Sequence, residues 1–297
     1  MNAGNCFLNR DILGTNKPLV SVGIPTFNRP EGLRRTLALI CNQTYSNLEI
    51  LVSDNASYGS ETECVVRETS ARDPRIKYFR QPTNIGSLAN FSFVLAKASG
   101  DYFMWASDDD EWDGSFIETC LAASSPSCSV MPKFSTIFRT RNIYEENPIP
   151  LLSPDAKLFE NVKNYFSNMQ PSLFYGLHPR KSILFTLKCA YFDFYDCYVV
   201  LRVILESNFR TIDQSLYSAG VDAPTYEVKY AAAGSGMPRL HFWPFFRHSS
   251  VALLRCSRLS TPEKAQLLIR LARLVLTLRS YHASRASRTK SVNLRNS

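Results

Sequence analysis

Short apolar runs alternate with helical patterns over the first 120 residues of the chain. Four runs have the length and residue content of strands: residues 19–24, 48–53, 76–79 and 102–106. Apolar side chains recur at helical spacing after Pro30 and again after Ser87, residue types that favour the first turn and the cap of a helix. This alternation predicts an α/β fold in which helices cover a mostly parallel sheet.

The pattern becomes less regular after about residue 125. Residues 127–138 and 209–213 predict strands, and residues 156–167 and 194–206 predict helices. Residues 141–154 are polar and contain prolines, which predicts a loop. No internal repeat accompanies these elements.

A further helical pattern lies near the C-terminus. Leucines repeat on one helical face, at Leu267, Leu271, Leu274 and Leu278. Arginines occupy other positions of the same segment, at Arg270, Arg273 and Arg279. A basic amphipathic helix of this kind binds an anionic membrane surface, or it packs on the rest of the protein or on a dimer partner. The sequence leaves these alternatives open.

Charge is unevenly distributed along the 297 residues, whose formal net charge is +8. From Met237 onward there are 12 Lys or Arg and one acidic residue, which leaves 22 basic and 25 acidic residues, a net −3, before it. The basic C-terminal end is typical of proteins that bind nucleic acid. The net negative charge of the remaining residues argues against nucleic-acid binding.

Localisation is predicted from what the sequence lacks. The eight cysteines are scattered without a C-x-x-C pair, which is typical of neither a disulfide framework nor a zinc site. The first 14 residues lack the apolar stretch of a signal peptide, and no apolar run reaches the ~18 residues of a membrane span. We therefore expect a cytoplasmic protein, soluble or peripheral at the inner face of the membrane.

Polar and loop-forming residues follow each of the four predicted strands. They are Pro25 and Thr26, Asp54 and Asn55, Asn84 and Gly86, and Asp108 to Asp110. If the strands are parallel, all of them lie at the carboxyl edge of the sheet, where open α/β sheets bind ligands. Their convergence predicts one binding site.

Asp108, Asp109 and Asp110 are the strongest local signal, because adjacent carboxylates repel one another unless a cation or water screens them. Magnesium and manganese prefer oxygen ligands, and magnesium often uses only one or two carboxylates beside water and substrate phosphate. The alternative is a solvated turn or the first turn of a helix. The apolar strand before the cluster and Trp112 behind it favour a metal site.

Five ordered segments and the acidic cluster resemble family 2 glycosyltransferases. The segments are VSVGIPTFN at 20–28, QTYSNLEI at 43–50, SDNAS at 53–57, NIG at 84–86 and ASGDY at 98–102. The resemblance covers roughly residues 18–120. It implies a GT-A-type fold and a nucleoside-diphosphate sugar, with UDP as the expected carrier, that is held with Mn²⁺ or Mg²⁺. It also implies inversion at the sugar carbon. The helical pattern near the C-terminus adds a C-terminal helical extension to this expected fold.

The resemblance also assigns donor-binding residues. Pro25, Thr26 and Phe27 would line the nucleoside pocket, Asp54 would contact the base, and Asn84 would belong to the same site. Asp109 matches the main ligand of the metal and the diphosphate, and Asp108 or Asp110 would assist it. This chain has Ser107 where many relatives carry the first Asp of the acidic motif, which leaves the individual assignments open.

An inverting displacement also needs a base that takes the proton of the acceptor hydroxyl. The segment around residues 194–217 resembles the family pattern in which an Asp opens a helix, which makes Asp196 the expected base and Asp193 the alternative. An ordinary acid at a helix N-terminus is the competing interpretation. Tyr175 and His178 are candidates for the acceptor side, and His241 is a candidate contact to metal, phosphate or acceptor, or a structural residue.

The expected function is transfer of a sugar to a saccharide or lipid-linked glycan in surface polysaccharide biosynthesis. The expected domains are an N-terminal extension (1–17), the transferase domain (18–225) and a basic helical extension (226–297). A nucleotidyltransferase is an alternative, although the chain lacks a Gly-rich phosphate loop. A non-catalytic sugar-nucleotide-binding protein is another.

Overall fold

The computed structural model describes residues 17–139, 142–189, 192–220 and 242–293, with side chains up to residue 278. The expected N-terminal extension lies almost entirely outside these ranges. So do His241 and the expected boundary between residues 225 and 226. The described residues form two sheets flanked by helices.

The first sheet contains the four strands predicted from the apolar runs. They are β1 (Val20–Thr26), β2 (Leu48–Asp54), β3 (Ile76–Arg80) and β4 (Tyr102–Trp105). They are parallel in the order β3-β2-β1-β4. Every residue of β1, β2 and β4 is buried, as expected for parallel strands covered on both faces.

The register of this sheet brings the strand ends together. Thr26 pairs with Asp54, and Asp54 pairs with Arg80. Gly23 pairs with Trp105, the last residue of β4. The polar residues that follow the strands therefore lie along one edge, as the sequence predicts.

Helices connect and cover these strands. They are α1 (Pro30–Cys41), α2 (Glu61–Ser70), α3 (Ser87–Lys97) and α4 (Phe116–Ala123). Helix α1 begins at Pro30, whose fixed φ suits a first turn. It buries Leu33, Leu37 and Ile40 on one face, so its apolar stripe holds the helix against the sheet.

The second sheet has the order β5-β9-β6-β7. Its strands are β5 (Glu111–Trp112), β6 (Cys128–Phe138), β7 (Ile143–Glu146) and β9 (Asn208–Gly220). Strand β9 is parallel to β6 and antiparallel to β5. Because β5 follows the acidic cluster directly, the end of β9 lies beside that cluster.

The remaining elements complete the chain between and after the two sheets. They are α5 (Leu158–Ser167), β8 (His178–Pro179), α6 (Arg180–Ile183), α7 (Tyr195–Glu206), α8 (Trp243–Arg255) and α9 (Thr261–Asn293). Strand β8 pairs with β4 in antiparallel orientation at the sheet edge. Helix α9 packs against α5 and α8, and α8 also packs against α7.

Three sequence predictions for the second half of the chain need correction. Residues 143–146 form β7 inside the predicted loop, and β9 continues to Gly220, well beyond residue 213. The polar strand β7 is exposed throughout, so it lacks the apolar alternation that marks a strand. Helix α7 begins at Tyr195, one residue after the predicted start, so Asp193 lies outside it.

The leucine face of α9 is internal. Leu267 and Leu271 are fully buried, and Leu274 and Val275 pack against the core. Of the alternatives that the sequence leaves open for this helix, the burial of Leu267 and Leu271 agrees with packing on the rest of the protein. Among the described residues, none of the helices combines the length and the apolar character that crossing a bilayer requires.

His178 belongs to the core, contrary to its expected place on the acceptor side. Its ring is fully buried and bonds to the Ser129 hydroxyl at 2.9 Å and the Phe174 carbonyl at 3.0 Å. Burial lowers the pKa of His178 to about 4, since the charged imidazolium loses its hydration there.

This burial predicts an acid-sensitive fold. Between pH 6.5 and about 4 the unfolded chain binds a proton at His178 that the folded chain does not, so stability falls as the pH drops. We expect His178→Gln to remove about 1.4 kcal/mol of this loss per pH unit within that window. Chemical unfolding of both proteins at pH 7 and pH 5 measures the effect. Identical losses in both would contradict the prediction.

Candidate active site

The acidic loop, residues 107–110, follows β4 and is held by three different elements. Thr26 ends β1, Arg29 precedes the first turn of α1, and Tyr217 lies on β9. Thr26 and Arg29 contact Asp108, Arg29 also contacts Asp109, and Tyr217 contacts Asp110. Each carboxylate thus has at least one hydrogen-bond donor, and the Arg29 guanidinium offsets the repulsion between Asp108 and Asp109.

Asp108 is buried between β1 and α1. Its Oδ2 accepts a hydrogen bond from the Thr26 hydroxyl at 2.8 Å, and its Oδ1 accepts one from Arg29 Nη1 at 3.0 Å. Burial raises the pKa of Asp108, and the bonds from Thr26 and Arg29 oppose that rise. Asp108 is therefore a structural carboxylate as well as a lining residue of the site.

Asp109 is more accessible than its two neighbours. Its Oδ2 accepts a hydrogen bond from Arg29 Nη1 at 2.9 Å, and its Oδ1 accepts one from the Ser107 hydroxyl. Arg29 thus bridges Asp108 and Asp109 with one nitrogen. The Ser107 hydroxyl therefore helps to orient the Asp109 carboxylate.

Asp110 points to the opposite side of the loop. Its Oδ2 accepts a hydrogen bond from the Tyr217 hydroxyl at 2.6 Å, and its Oδ1 accepts one from the Gly220 N–H at 2.8 Å. Burial, and next the charge of Asp109, raises the pKa of Asp110 to about 7. Asp110 is absent from the linings of the two cavities beside the loop, so its role as a second metal ligand stays a prediction.

Two glycines allow the loop to be enclosed this closely. A Cβ atom on Gly32 would lie 2.1 Å from the Asp108 carbonyl oxygen, and one on Gly220 would lie 1.9 Å from the Asp109 carbonyl oxygen. Neither position tolerates a side chain without movement of the loop backbone. The acidic loop therefore packs closely against both α1 and β9.

A cavity of about 250 Å³ opens beside the loop at the carboxyl edge of the sheet. Its lining includes most of the residues expected to bind the nucleotide sugar, Pro25, Thr26, Phe27, Asn84 and Asp108, together with Arg29, Asn55 and Asn90. The sequence prediction of one convergent site thus agrees with the positions of these side chains. Phe27 and the exposed Tyr58 form an edge-to-face pair with ring centres 5.9 Å apart.

Asp54 is fully buried and does not line this cavity. Its carboxylate accepts hydrogen bonds from the Ser57 N–H at 2.8 Å and the Tyr78 hydroxyl at 2.9 Å. These bonds fix the turn after β2. Within that turn Asn55 donates a hydrogen bond to Asn84 at 3.0 Å, which links the turns after β2 and β3.

A second cavity, of about 280 Å³, adjoins the first across the Arg29–Asp108 pair. Asp109 lines it together with Arg29, Arg35 and Arg139. The lining contains three guanidinium groups and also three carboxylates, those of Glu31, Asp108 and Asp109. The start of α1 adds partial positive charge to one side of the cavity.

Asp196 lies in the first turn of α7 and is half-buried. Its Oδ1 accepts a hydrogen bond from the Cys197 N–H at 2.7 Å, and burial raises its pKa. After burial, the charges of Asp110, Asp109, Asp196 and Asp108 all raise the pKa of Tyr175. Asp196 and the acidic loop therefore act on the same side chain from separate elements.

The turn before α7 has an unusual backbone. Phe194 adopts φ 65°, the left-handed region that bulky residues avoid. Its ring stacks on Phe242, next to α8, with ring centres 5.0 Å apart. Asp193 lies in this turn, immediately before Phe194, and stays the alternative to Asp196.

Sequence reasoning missed Arg29, Asn90, Tyr217 and Gly220. Arg29 carries a signal in hindsight, because it directly follows the VSVGIPTFN segment and precedes a helix. Tyr217 and Gly220 carry none, since they lie more than 100 residues from the acidic loop. Only the tertiary fold brings them to it.

Comparison with known proteins gives the site a family context. The model of the glycosyl transferase family 2 matches residues 21–193. The chain is 34 % identical over 107 residues to WcaA of Escherichia coli K12, a glycosyl transferase assigned to colanic acid biosynthesis. It is 41 % identical over 105 residues to the GalNAc(5)-diNAcBac-PP-undecaprenol beta-1,3-glucosyltransferase of Campylobacter jejuni. These matches cover 36 % and 35 % of this chain, and 38 % and 34 % of the two relatives.

Solved structures agree in fold. Residues 1–349 of S. aureus TarS in complex with UDP-GlcNAc align with a TM-score of 0.67 over 87 % of this chain and 72 % of that one, at 16 % identity. The mannosyltransferase PcManGT from Pyrobaculum calidifontis, in complex with GDP-Man and Mn²⁺, aligns with a TM-score of 0.52 over 94 % and 81 %, at 15 % identity. The predicted GT-A-type fold is confirmed.

The geometry of the acidic loop predicts that Arg29 stabilises the fold. Arg29→Met would leave the buried Asp108 carboxylate without its cation, and we expect a loss of about 1–2 kcal/mol in the free energy of unfolding, reduced because the Arg29 side chain is 33 % exposed. Arg34→Met, which breaks an exposed pair with Glu68, is the matched control and should change stability little. Denaturant titration compares them, and equal effects would refute the role of Arg29.

Proposed function

This chain belongs to the glycosyl transferase family 2, and we propose that it transfers a sugar from a nucleoside-diphosphate sugar to an acceptor hydroxyl. One observation carries the proposal. The cavity lined by Pro25, Thr26 and Phe27 opens directly onto the Arg29–Asp108–Asp109 cluster. A nucleoside in the cavity would thus present its diphosphate to the cluster.

We propose a UDP-sugar as the donor. TarS, whose fold this chain shares, has been solved in complex with UDP and with UDP-GlcNAc. The acceptor we propose is a saccharide or a lipid-linked glycan in the synthesis of a surface polysaccharide. The names of the Campylobacter and Escherichia relatives support this class, one through an undecaprenyl diphosphate-linked glycan and the other through colanic acid.

One carboxylate of the acidic loop, that of Asp109, is suited to bind a divalent metal. No group of three or more His, Cys, Asp or Glu side chains suited to a metal ion occurs in the described part of the chain. Asp109 lines a cavity and offers carboxylate oxygen, which suits Mg²⁺ or Mn²⁺ that completes its shell with water and phosphate. Asp110, whose oxygens accept hydrogen bonds from β9, lies outside the linings of the two cavities beside the loop, so we propose Asp109 as the main ligand.

When bound, such an ion would neutralise charge on the departing diphosphate. The residues of the chain contribute the remaining steps. Asp109 would hold the ion, and Arg29, whose guanidinium now occupies the same carboxylate, would have to turn towards the diphosphate. Arg35 and Arg139 line the adjoining cavity and add positive charge where the diphosphate would lie.

We propose that Asp196 is the base. A carboxylate whose pKa is raised by burial is a stronger proton acceptor than an exposed one. It would take the proton from the acceptor hydroxyl as the hydroxyl oxygen attacks the sugar carbon and the diphosphate leaves. Attack from the side opposite the diphosphate inverts that carbon. Asp193 is the alternative base.

Donor binding provides the first test. With Mn²⁺ and a panel of UDP-, GDP- and dTDP-sugars, we expect at least one donor to stabilise the protein by about 2.7 kcal/mol at a hundredfold excess over its dissociation constant. Asp109→Asn should remove the Mn²⁺ dependence of the shift in melting temperature. Asp101→Asn, an exposed acid at the amino-terminal edge of β4, is the control and should retain it. Failure of every nucleotide to stabilise the protein would rule out the proposal.

Transfer provides the second test. Asp196→Asn should retain donor binding but lower the transfer rate by about 10²–10⁴-fold, because the acceptor hydroxyl loses its base. Asp193→Asn should retain most activity. The reverse result would assign the base to Asp193. Donor binding without transfer in the unmodified protein, across saccharide and lipid-linked acceptors, would favour a non-catalytic sugar-nucleotide-binding protein.

A further inference from the structure

Helix α8 presents an apolar stripe to solvent. Trp243 is 56 % exposed, Val251 39 % and Leu254 55 %. Spacings of eight and three residues put them on one face, while Phe245, Ser249 and Leu253 are buried on the other. Clustered exposed apolar side chains of this kind mark interaction surfaces.

The same face is basic. Arg247 and Arg255 are exposed and fall in line with Trp243 and Val251 at intervals of four residues. The thirteen residues of α8 include no Asp or Glu. We call Trp243, Arg247, Val251, Leu254 and Arg255 the α8 stripe. It combines an aromatic end, aliphatic side chains and guanidinium groups without an opposing charge.

We propose that the α8 stripe docks the protein on an anionic membrane surface. A helix lying in the headgroup region buries apolar side chains and extends arginines to lipid phosphates. The excess of 12 Lys or Arg over one acid from Met237 onward complements such a surface. A stable protein partner usually covers about 20–30 residues on each side, far more than this narrow stripe provides.

A groove beside the stripe adds to this complementarity. It has a volume of about 350 Å³ and runs between α7 and α8. Its lining includes Val251 and Arg255 of the stripe and also Arg258. Arg202 in the groove is paired with Glu206, and Arg258 donates hydrogen bonds to the carbonyl oxygens of Leu205 and Ser207. Arg255 is therefore the guanidinium of the groove that an anionic headgroup would meet.

The position of the stripe relates docking to the proposed reaction. Phe242, next to the stripe, stacks on Phe194 at 5.0 Å, and Asp196 follows two residues later. Docking through α8 would bring the start of α7 to the membrane, where a lipid-linked acceptor presents its hydroxyl. Only this last step rests on the proposed function, since the stripe is defined without reference to the sugar donor.

Cosedimentation of the full chain with vesicles tests the proposal. We expect binding to vesicles that contain phosphatidylglycerol, and little binding to vesicles of phosphatidylcholine alone. Trp243→Ser combined with Leu254→Ser should weaken binding at least about tenfold. Arg247→Gln combined with Arg255→Gln should weaken it and reduce its dependence on salt.

The matched control is Tyr144→Ser combined with Leu151→Ser, which removes another exposed aromatic and another exposed leucine elsewhere on the protein. It should bind vesicles as the unmodified chain does. If this control variant weakens vesicle binding as much as Trp243→Ser with Leu254→Ser does, the proposal is overturned. Absence of vesicle binding would also overturn it, as would a dimer in light scattering that only the α8 variant abolishes, since the stripe would then contact a second copy.

Donor-induced stabilisation in the same variants separates this proposal from the proposed function. All substituted side chains are exposed, so we expect the α8 variant to retain both its melting temperature and the shift caused by the donor. Lost vesicle binding with retained donor binding supports the docking surface. If the Trp243→Ser, Leu254→Ser variant loses both vesicle binding and donor binding, its fold is damaged. Vesicle binding by the Arg247→Gln, Arg255→Gln variant then tests the docking surface.

Discussion

The arrangement of the site depends on keeping three consecutive carboxylates apart. Asp108, Asp109 and Asp110 would repel one another if they shared one environment. In the fold, Thr26 of β1 and Arg29 bind Asp108, Arg29 and Ser107 bind Asp109, and β9 binds Asp110. Asp108 and Asp109 line the cavities beside the loop, whereas Asp110 faces β9.

The same constraint explains why two sheets meet at this loop. A parallel sheet alone would leave the loop open to solvent beyond its carboxyl edge. Strand β9, through Tyr217 and Gly220, closes the side that the first sheet cannot reach. Gly32 lets α1 approach from the other side. The acidic loop is thus a junction on which both halves of the chain converge.

The sequence predicts the first sheet well and the second poorly, for a physical reason. Strands β1, β2 and β4 are buried on both faces and form continuous apolar runs, which the pattern shows directly. Strand β7 is exposed, and only Phe209 and Tyr217 of the thirteen residues of β9 are buried, so their pairing comes from the tertiary fold. Pro25, Thr26 and Asn84 are predictable for the site because each follows a strand of the parallel sheet. Tyr217 and Gly220 are not, because no local pattern relates them to the loop.

The backbone of Phe194 has a consequence for the whole C-terminal region. A bulky residue in the left-handed conformation costs about 1–3 kcal/mol, and the stacking of Phe194 on Phe242 helps to offset this cost. The orientation of the first turn of α7, and with it the direction of the Asp196 carboxylate, is therefore maintained by aromatic packing from a helix that follows much later in the chain. The C-terminal region therefore stabilises a turn that the local sequence would not adopt by itself.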